Sequence, residues 1–205
     1  MKNLFAKLRK RVAVIQKKTK ETDIKIKLNL DGKGDYKINI GIGFLKHMLE
    51  LFTFHGKFDL ELEAKGDLDV DIHHTNEDVG SVLGEVLAKA LGKKMGIKRF
   101  GSFYTPMDET LVRVVLDISN RPSLNIKSHD NVKLHDAENY TYFDFKHFMN
   151  GFVQKAGINL HIDVFKGENM HHIFEAIFKA IGRALSEAVA IDPRSKDIPS
   201  TKGKL

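Results

Sequence analysis

The residues of this chain best suited to chemistry are histidines and glutamates that recur in one pattern. The first copy is His47, His73, His74 and Glu77, and the second copy is His147, His171, His172 and Glu175. His147 lies 100 residues after His47, and the other three members lie 98 residues after their counterparts. Six of the ten histidines therefore belong to one duplicated arrangement.

Imidazole and carboxylate together suit borderline divalent metals such as Zn, Mn and Fe. If the segment after each His-His pair is helical, a histidine and the following glutamate lie on one face and can point at a common site. A lone histidine on an apolar helix is more often an ordinary hydrogen-bonded residue, but the duplication favours ligands. The sequence thus predicts two similar metal centres, without thiolate ligands or disulfides, because cysteine is absent.

The composition limits the classes of function. The chain has 205 residues, 42% of them hydrophobic, which is enough for one large or two small domains. No apolar run approaches the ~20 residues of a membrane span, so we expect no membrane partner and a cytoplasmic location. A net charge of +6 favours an anionic ligand such as phosphate. Nucleic acid would also fit that charge. Because no aromatic RNA-binding strand motif is present, we expect the protein to bind no nucleic acid.

Apolar periodicity predicts the elements that must position these residues. In the first half we expect strands at 24–30 and 35–40, joined as a hairpin by the Gly-containing turn at 31–34, then a helix at 44–55, a strand at 58–64 and a helix at 75–91. In the second half we expect strands at 101–106, 110–118 and 122–128, a helix at 143–156, a strand at 158–165 and a helix at 171–190. This predicts an α+β fold of internally duplicated ββαβα halves, with two helices per half packed on a mainly antiparallel sheet.

The same pattern divides the chain into four segments. Residues 1–10 form a basic N-terminal extension, 11–96 and 97–192 are the two ββαβα halves, and 193–205 are a basic C-terminal tail. Residues 129–142, which are rich in His, Asp and Asn, are expected to form a mobile loop.

The motifs resemble those of the imidazoleglycerol-phosphate dehydratase family of histidine biosynthesis. The matching segments are 19–22, 41–49, 66–78, 99–101, 106–109, 120–122, 167–179 and 199–203. The resemblance implies a hydro-lyase that converts D-erythro-imidazole-glycerol phosphate to imidazole-acetol phosphate through a metal-bound imidazolate and a diazafulvene-like intermediate. It also implies two Mn²⁺ per active site, held by the eight histidines and glutamates of the duplicated pattern. The family forms large homo-oligomers of 24 subunits with active sites between subunits.

The resemblance also assigns roles to single residues. Glu21 is the candidate for proton transfer and substrate contact, and the ligands Glu77 and Glu175 are placed to share the proton transfer. The other substrate-binding candidates, mostly for phosphate, are His55, Arg99, Arg121, Lys179, Ser200 and Lys202. The tail at 193–205 is expected to close over the phosphate.

The sequence departs from the family pattern next to two of the ligands. Lys46 and Lys146 stand before His47 and His147, where the family usually has an acid. Either these lysines weaken metal binding, or they are solvated and point away from the ligands. Two other functions use the same ligands: a binuclear metallohydrolase, or a non-catalytic oligomer that keeps the family fold.

Overall fold

The structure, a computed structural model, describes residues 11–129 and 132–205. The basic extension predicted at 1–10 lies outside the described residues. The elements are β1 (Val12–Lys18), β2 (Thr22–Asn29), β3 (Tyr36–Asn39), α1 (Gly43–Gly56), β4 (Asp59–Gly66), α2 (His73–Leu91), β5 (Phe100–Met107), β6 (Thr110–Asp117), β7 (Ser123–Ser128), α3 (Tyr142–Ala156), β8 (Asn159–Lys166) and α4 (Met170–Val189). No helix of the described chain is long and apolar enough to cross a membrane.

Each half contributes one four-stranded sheet. The strand orders are β1-β2-β4-β3 and β5-β6-β8-β7, and each sheet has two antiparallel pairs and one parallel pair. The order ββαβα runs from β2 to α2 and again from β6 to α4, preceded in each half by one further strand. The predicted α+β fold with duplicated halves and mainly antiparallel sheets is therefore confirmed.

Two details of the first half were predicted wrongly. Strand β1 was missed, because it is an edge strand in which only Ala13 is fully buried, and its alternation is correspondingly weak. The predicted hairpin between β2 and β3 does not form, because β4 lies between them. Asp59, at the start of β4, accepts hydrogen bonds from the backbone N–H of Lys33 and the side chain of Asn29, which fastens the turn to β4.

The helices of the two halves pack against each other and against the inner faces of the sheets. Helix α2 packs on α3, and α1 packs on α4. At the two crossings a Cβ on Gly84 or Gly182 would collide with the carbonyl oxygen of Phe152 or Phe52 respectively. Glycine lets the backbones approach closely at equivalent points, so each half places its helices beside those of the other half.

The segment at 132–141, which was expected to be a mobile loop, packs into the core at Tyr140. This tyrosine is fully buried, and its hydroxyl donates to Asn76 Oδ1 at 2.7 Å. Its ring stacks on Phe44 with the centroids 5.2 Å apart. Because the neighbours of Tyr140 in sequence are polar, its burial was not predictable from the apolar pattern.

Candidate metal centres

The candidate ligands lie near the N-terminal ends of the four helices. His73 begins α2, and His171 is the second residue of α4. His47 and His147 lie in the second turn of α1 and α3. Because α1 packs on α4 and α2 on α3, each of these last two histidines faces the ligands of the other half.

The first group, which we call the inner cluster, is His47, His171 and Glu175. Glu175 Oε1 lies 2.9 Å from His47 Nε2 and 3.2 Å from His171 Nε2, while Oε2 accepts from Lys179 Nζ at 2.6 Å. Burial raises the pKa of Glu175, but the hydrogen bonds from Lys179 and His47 outweigh it and lower the pKa to about 2. Glu175 is therefore an ionised, nearly buried carboxylate.

The second group, the outer cluster, is His73, Glu77 and His147. Glu77 Oε2 lies 3.2 Å from His147 Nδ1 and 3.7 Å from His73 Nε2. The two imidazole rings are 4.7 Å apart, and the ring of Phe143 lies 4.1 Å from that of His147. The side chain of Glu77 is 48% exposed, compared with 11% for Glu175.

The structure groups the ligands differently from their order in the sequence. The pattern along the chain associates His47 with His73, His74 and Glu77, but His47 meets His171 and Glu175 of the other half. His147 in turn meets His73 and Glu77. Each cluster therefore takes one histidine from one half and a His–Glu pair from the other.

Both clusters fit a borderline divalent metal ion. Each offers two imidazole nitrogens and one carboxylate oxygen within 4.8 Å of one another, which is a donor set that such ions prefer. In both clusters the two nitrogens converge on one carboxylate oxygen, and an ion would replace the protons between them. Three protein ligands leave further coordination positions open.

His74 and His172 stand apart from both clusters. His74 Nδ1 lies 2.9 Å from Asp67 Oδ2, and His172 Nδ1 lies 2.9 Å from Glu109 Oε2. These carboxylates raise the pKa of both imidazoles. Glu138 makes a similar contact with a ligand of the inner cluster, because its Oε1 lies 2.9 Å from His171 Nδ1.

Sequence reasoning assigned no role to these three acids. A signal for Glu109 was present, because the pair Glu109-Thr110 repeats Glu21-Thr22 at the turn between the first two strands of each half.

Glu21 lies in the turn between β1 and β2. Its Oε2 is 3.9 Å from His74 Nδ1, and the side chain is more than half exposed. The turn is fastened to α2, because Thr22 Oγ1 donates to Asp78 Oδ2 at 2.6 Å. The fold thus carries Glu21 to the N-terminal end of α2.

The substrate-binding candidates separate into two places. Lys179 contacts Glu175, and His55 lies near it: burial, followed by the positive charges of Lys179 and Arg183, lowers the pKa of His55. Arg99 lies at the other end of α4, where its backbone N–H donates to Ala188 O and its side chain binds Asp117.

The remaining candidates lie at this second place. Arg121 follows Ile118, whose N–H donates to Arg99 O, and Ser200 and Lys202 follow Pro199, whose carbonyl accepts from Arg99 Nη1 at 2.9 Å. At 1.5 Å per residue, Glu175 and Ala188 are roughly 20 Å apart along α4. One chain therefore does not bring Arg99, Arg121, Ser200 and Lys202 to the clusters.

The two lysines that depart from the family pattern contact none of the candidate ligands. Lys46 Nζ lies 3.9 Å from Glu50 Oε1, one turn further along α1. Lys146 Nζ lies 5.1 Å from the centre of the Tyr142 ring. These contacts favour the interpretation that both lysines point away from the ligands.

Comparisons with known proteins identify the family of this chain. The family model described as imidazoleglycerol-phosphate dehydratase matches residues 40–185. The dehydratase of that name from Thermoanaerobacter pseudethanolicus is 54% identical over 95% of this chain and 100% of its own length. The one from Bacillus subtilis is 50% identical over 92% of this chain and 96% of its own.

Solved structures of the same name have the same fold. The dehydratase from Pyrococcus furiosus superposes with a TM-score of 0.80 and 37% identity, over 93% of this chain and 100% of that one. The one from Staphylococcus aureus gives a TM-score of 0.77 and 39% identity, over 88% and 99%. The chain belongs to the imidazoleglycerol-phosphate dehydratase family, the dehydratases of histidine biosynthesis.

Proposed function

We propose that this protein dehydrates D-erythro-imidazole-glycerol phosphate to imidazole-acetol phosphate in the cytoplasm, with two Mn²⁺ per active site. The observation that carries the proposal is the pair of crossed His–Glu clusters in a chain of this family. The diazafulvene-like intermediate that the family resemblance implies is part of the proposal.

The inner and outer clusters would each hold one ion, and His74 and His172 would supply further ligands. When bound, the ions supply Lewis acidity and a template for the imidazole of the substrate. Glu21 is exposed and adjacent to His74, so its carboxylate moves the proton. Glu77 and Glu175, as ligands of the ions, would share that transfer.

The positions of the phosphate candidates favour an active site between chains. The separation of roughly 20 Å between Glu175 and the Arg99 end of α4 is far longer than a glycerol phosphate can bridge. In an oligomer, Arg99, Arg121, Ser200 and Lys202 of one chain would meet the clusters of another, with the tail at 193–205 closing on the phosphate. We propose a large homo-oligomer, like the 24 subunits of the family.

The activity is tested by stripping the protein with a chelator, adding Mn²⁺, and following formation of the ketone product. Turnover should be lost with the metal and return with it, and Glu21→Gln should abolish it. The matched control is Glu63→Gln, because Glu63 is an exposed carboxylate on the outer face of β4. Release of inorganic phosphate would favour the metallohydrolase, and no turnover with metal bound would favour the non-catalytic oligomer.

The shared site is tested with mixed oligomers. Arg99→Ala and Glu175→Gln should each be inactive alone, and co-assembly of the two chains should restore turnover, because some sites combine one intact cluster with one intact phosphate end. The control mixture is Arg99→Ala with Arg121→Ala, whose defects lie at the same end and cannot complement. No restoration in the Arg99→Ala and Glu175→Gln mixture, despite co-assembly of the two chains, would contradict the proposal.

The role of the tail is tested by truncation after Pro199. We expect KM for the substrate to rise strongly while the manganese content stays the same. Unchanged kinetics would show that Ser200 and Lys202 do not bind the phosphate.

A further inference from the structure

Two carboxylates at equivalent turns of the two halves are held very differently. Glu109, between β5 and β6, has Oε2 on His172 Nδ1 at 2.9 Å, and its Oε1 accepts from the backbone N–H of Asn169 at 3.0 Å and of Glu168 at 3.2 Å. These bonds, with that of Asn169 the strongest, hold the pKa of Glu109 well below its usual range. Glu109 is thereby fixed to both the start of α4 and the imidazole of His172.

Glu21 occupies the equivalent turn but does not make the equivalent contact. The Nδ1 of His74 is taken by Asp67 at 2.9 Å, and Glu21 remains at 3.9 Å. Within residues 11–129 and 132–205, no hydrogen bond reaches the carboxylate of Glu21, and its side chain is 57% exposed. In the first half the second histidine of the pair, His74, therefore contacts Asp67, which follows β4, and not the glutamate of the turn.

The contact with His74 uses only one of the two carboxylate oxygens of Asp67. Its Oδ1 is buried and, within the described part of the chain, has no hydrogen-bond partner, which costs folding free energy. Asp67 Oδ2 lies 2.9 Å from His74 Nδ1, and a carboxylate can only accept a hydrogen bond there. In the neutral imidazole the Nδ1 of His74 must then carry the proton, which leaves the lone pair on Nε2.

We propose that Asp67 and Glu109 are positioning residues that hold His74 and His172 with Nε2 free to bind a metal ion, and that Asp67 also keeps Glu21 available for proton transfer. The same argument applies to His172, because Glu109 Oε2 lies 2.9 Å from its Nδ1, while its Nε2 lies 3.8 Å from the exposed carboxylate of Asp108, beyond hydrogen-bond distance. Carboxylates behind metal-binding imidazoles commonly fix the tautomer in this way. The second part of the proposal rests on the proposed function.

The positioning role is tested by manganese affinity and by the histidine tautomers. Asp67→Asn and Glu109→Gln should each weaken manganese binding by ~10–100-fold, as such changes typically do. Nitrogen-15 solid-state NMR of the chelator-stripped protein should show the proton of the affected imidazole no longer confined to Nδ1. The matched control is Asp71→Asn, since Asp71 Oδ1 accepts from the backbone N–H of His73 and does not touch a ring.

The release of Glu21 is tested by kcat at saturating manganese. Asp67→Asn should lower kcat more than Glu109→Gln does, because a neutral amide competes less well than a carboxylate for the Nδ1 of His74, and Glu21 turns to that nitrogen instead. Glu21→Gln alone should leave manganese affinity unchanged but should weaken it further in the Asp67→Asn background. An unchanged His74 tautomer and affinity in Asp67→Asn would overturn the positioning role.

Two further outcomes separate the parts of the proposal. If Asp67→Asn weakens manganese binding but leaves kcat unchanged, Asp67 does not act through Glu21, and that part is wrong. If the parent protein binds manganese but shows no turnover, the proposed function fails. The NMR and affinity measurements still decide the positioning role in that case.

Discussion

The inner and outer clusters contain the same ligand types at equivalent positions, but the protein around them differs. In the inner cluster Glu175 is nearly buried, and both of its oxygens are engaged, by two imidazoles and by Lys179. In the outer cluster Glu77 is about half exposed, and the position equivalent to Lys179 is Ser81. Duplication thus preserved the donor atoms and changed the charge and burial around them.

The difference suggests a division of labour between the two clusters. The carboxylate of the inner cluster is held in place before any ion arrives, because two imidazoles and Lys179 engage both of its oxygens in a nearly buried site. The outer cluster is open to solvent, and its aromatic neighbour Phe143 stands where the first half has Gly43. We therefore expect the inner cluster to contribute to the free energy of unfolding and the outer cluster to contribute little.

The largest expected effect concerns the two helix crossings on which both clusters depend. Gly84→Ala and Gly182→Ala should each lower the free energy of unfolding by about 3 kcal/mol, since the added Cβ meets a backbone carbonyl that cannot move without separating the helices. Denaturant unfolding at fixed protein concentration measures this. Gly43→Ala is the control, because its Cβ would meet open space.

Similar losses of unfolding free energy at the two crossings would show that helix packing contributes equally in both halves, which then differ only around their clusters. A loss at one crossing alone would place the difference between the clusters in the helix packing instead.

The crossings also explain what the sequence could and could not predict. Residues 24, 26 and 28 alternate with polar neighbours, so β2 and its buried face were predictable. The grouping of His47 with Glu175 was not, because it depends on α1 packing on a helix more than 100 residues later. Periodicity reports which face of an element is buried but not which element covers it.

The carboxylates that contact the ligand imidazoles were not predictable from the sequence, for a similar reason. Asp67 is an ordinary acid in sequence, and only the bend between β4 and α2 brings it to His74. The separation of Arg99 from the clusters was likewise invisible, because a list of motif residues carries no distances. Residue types were therefore predictable, and their partners were not.

The second prediction compares the two glutamate ligands directly. In metal-free protein, Glu175→Ala should lower the free energy of unfolding by about 2 kcal/mol, because the mostly buried ammonium of Lys179 and the more exposed imidazole of His47 lose their partner. Glu77→Ala should change it by less than ~0.5 kcal/mol, as is usual for exposed positions. Both variants should lose turnover with manganese. Equal destabilisation would remove the proposed contrast between the clusters.

The smallest expected effect concerns the lysines before His47 and His147. Neither contacts a ligand: Lys46 lies near Glu50, and Lys146 lies over the ring of Tyr142. Exposed charges at this range are worth less than ~1 kcal/mol, so Lys46→Asp combined with Lys146→Glu should change manganese affinity by less than about fivefold. Titration of chelator-stripped protein measures this, with Lys25→Asp and Lys37→Glu on the outer face of the first sheet as the control for net charge. A gain of tenfold or more over that control would mean that the lysines impair the clusters through another chain of the assembly, since in this chain both side chains point elsewhere.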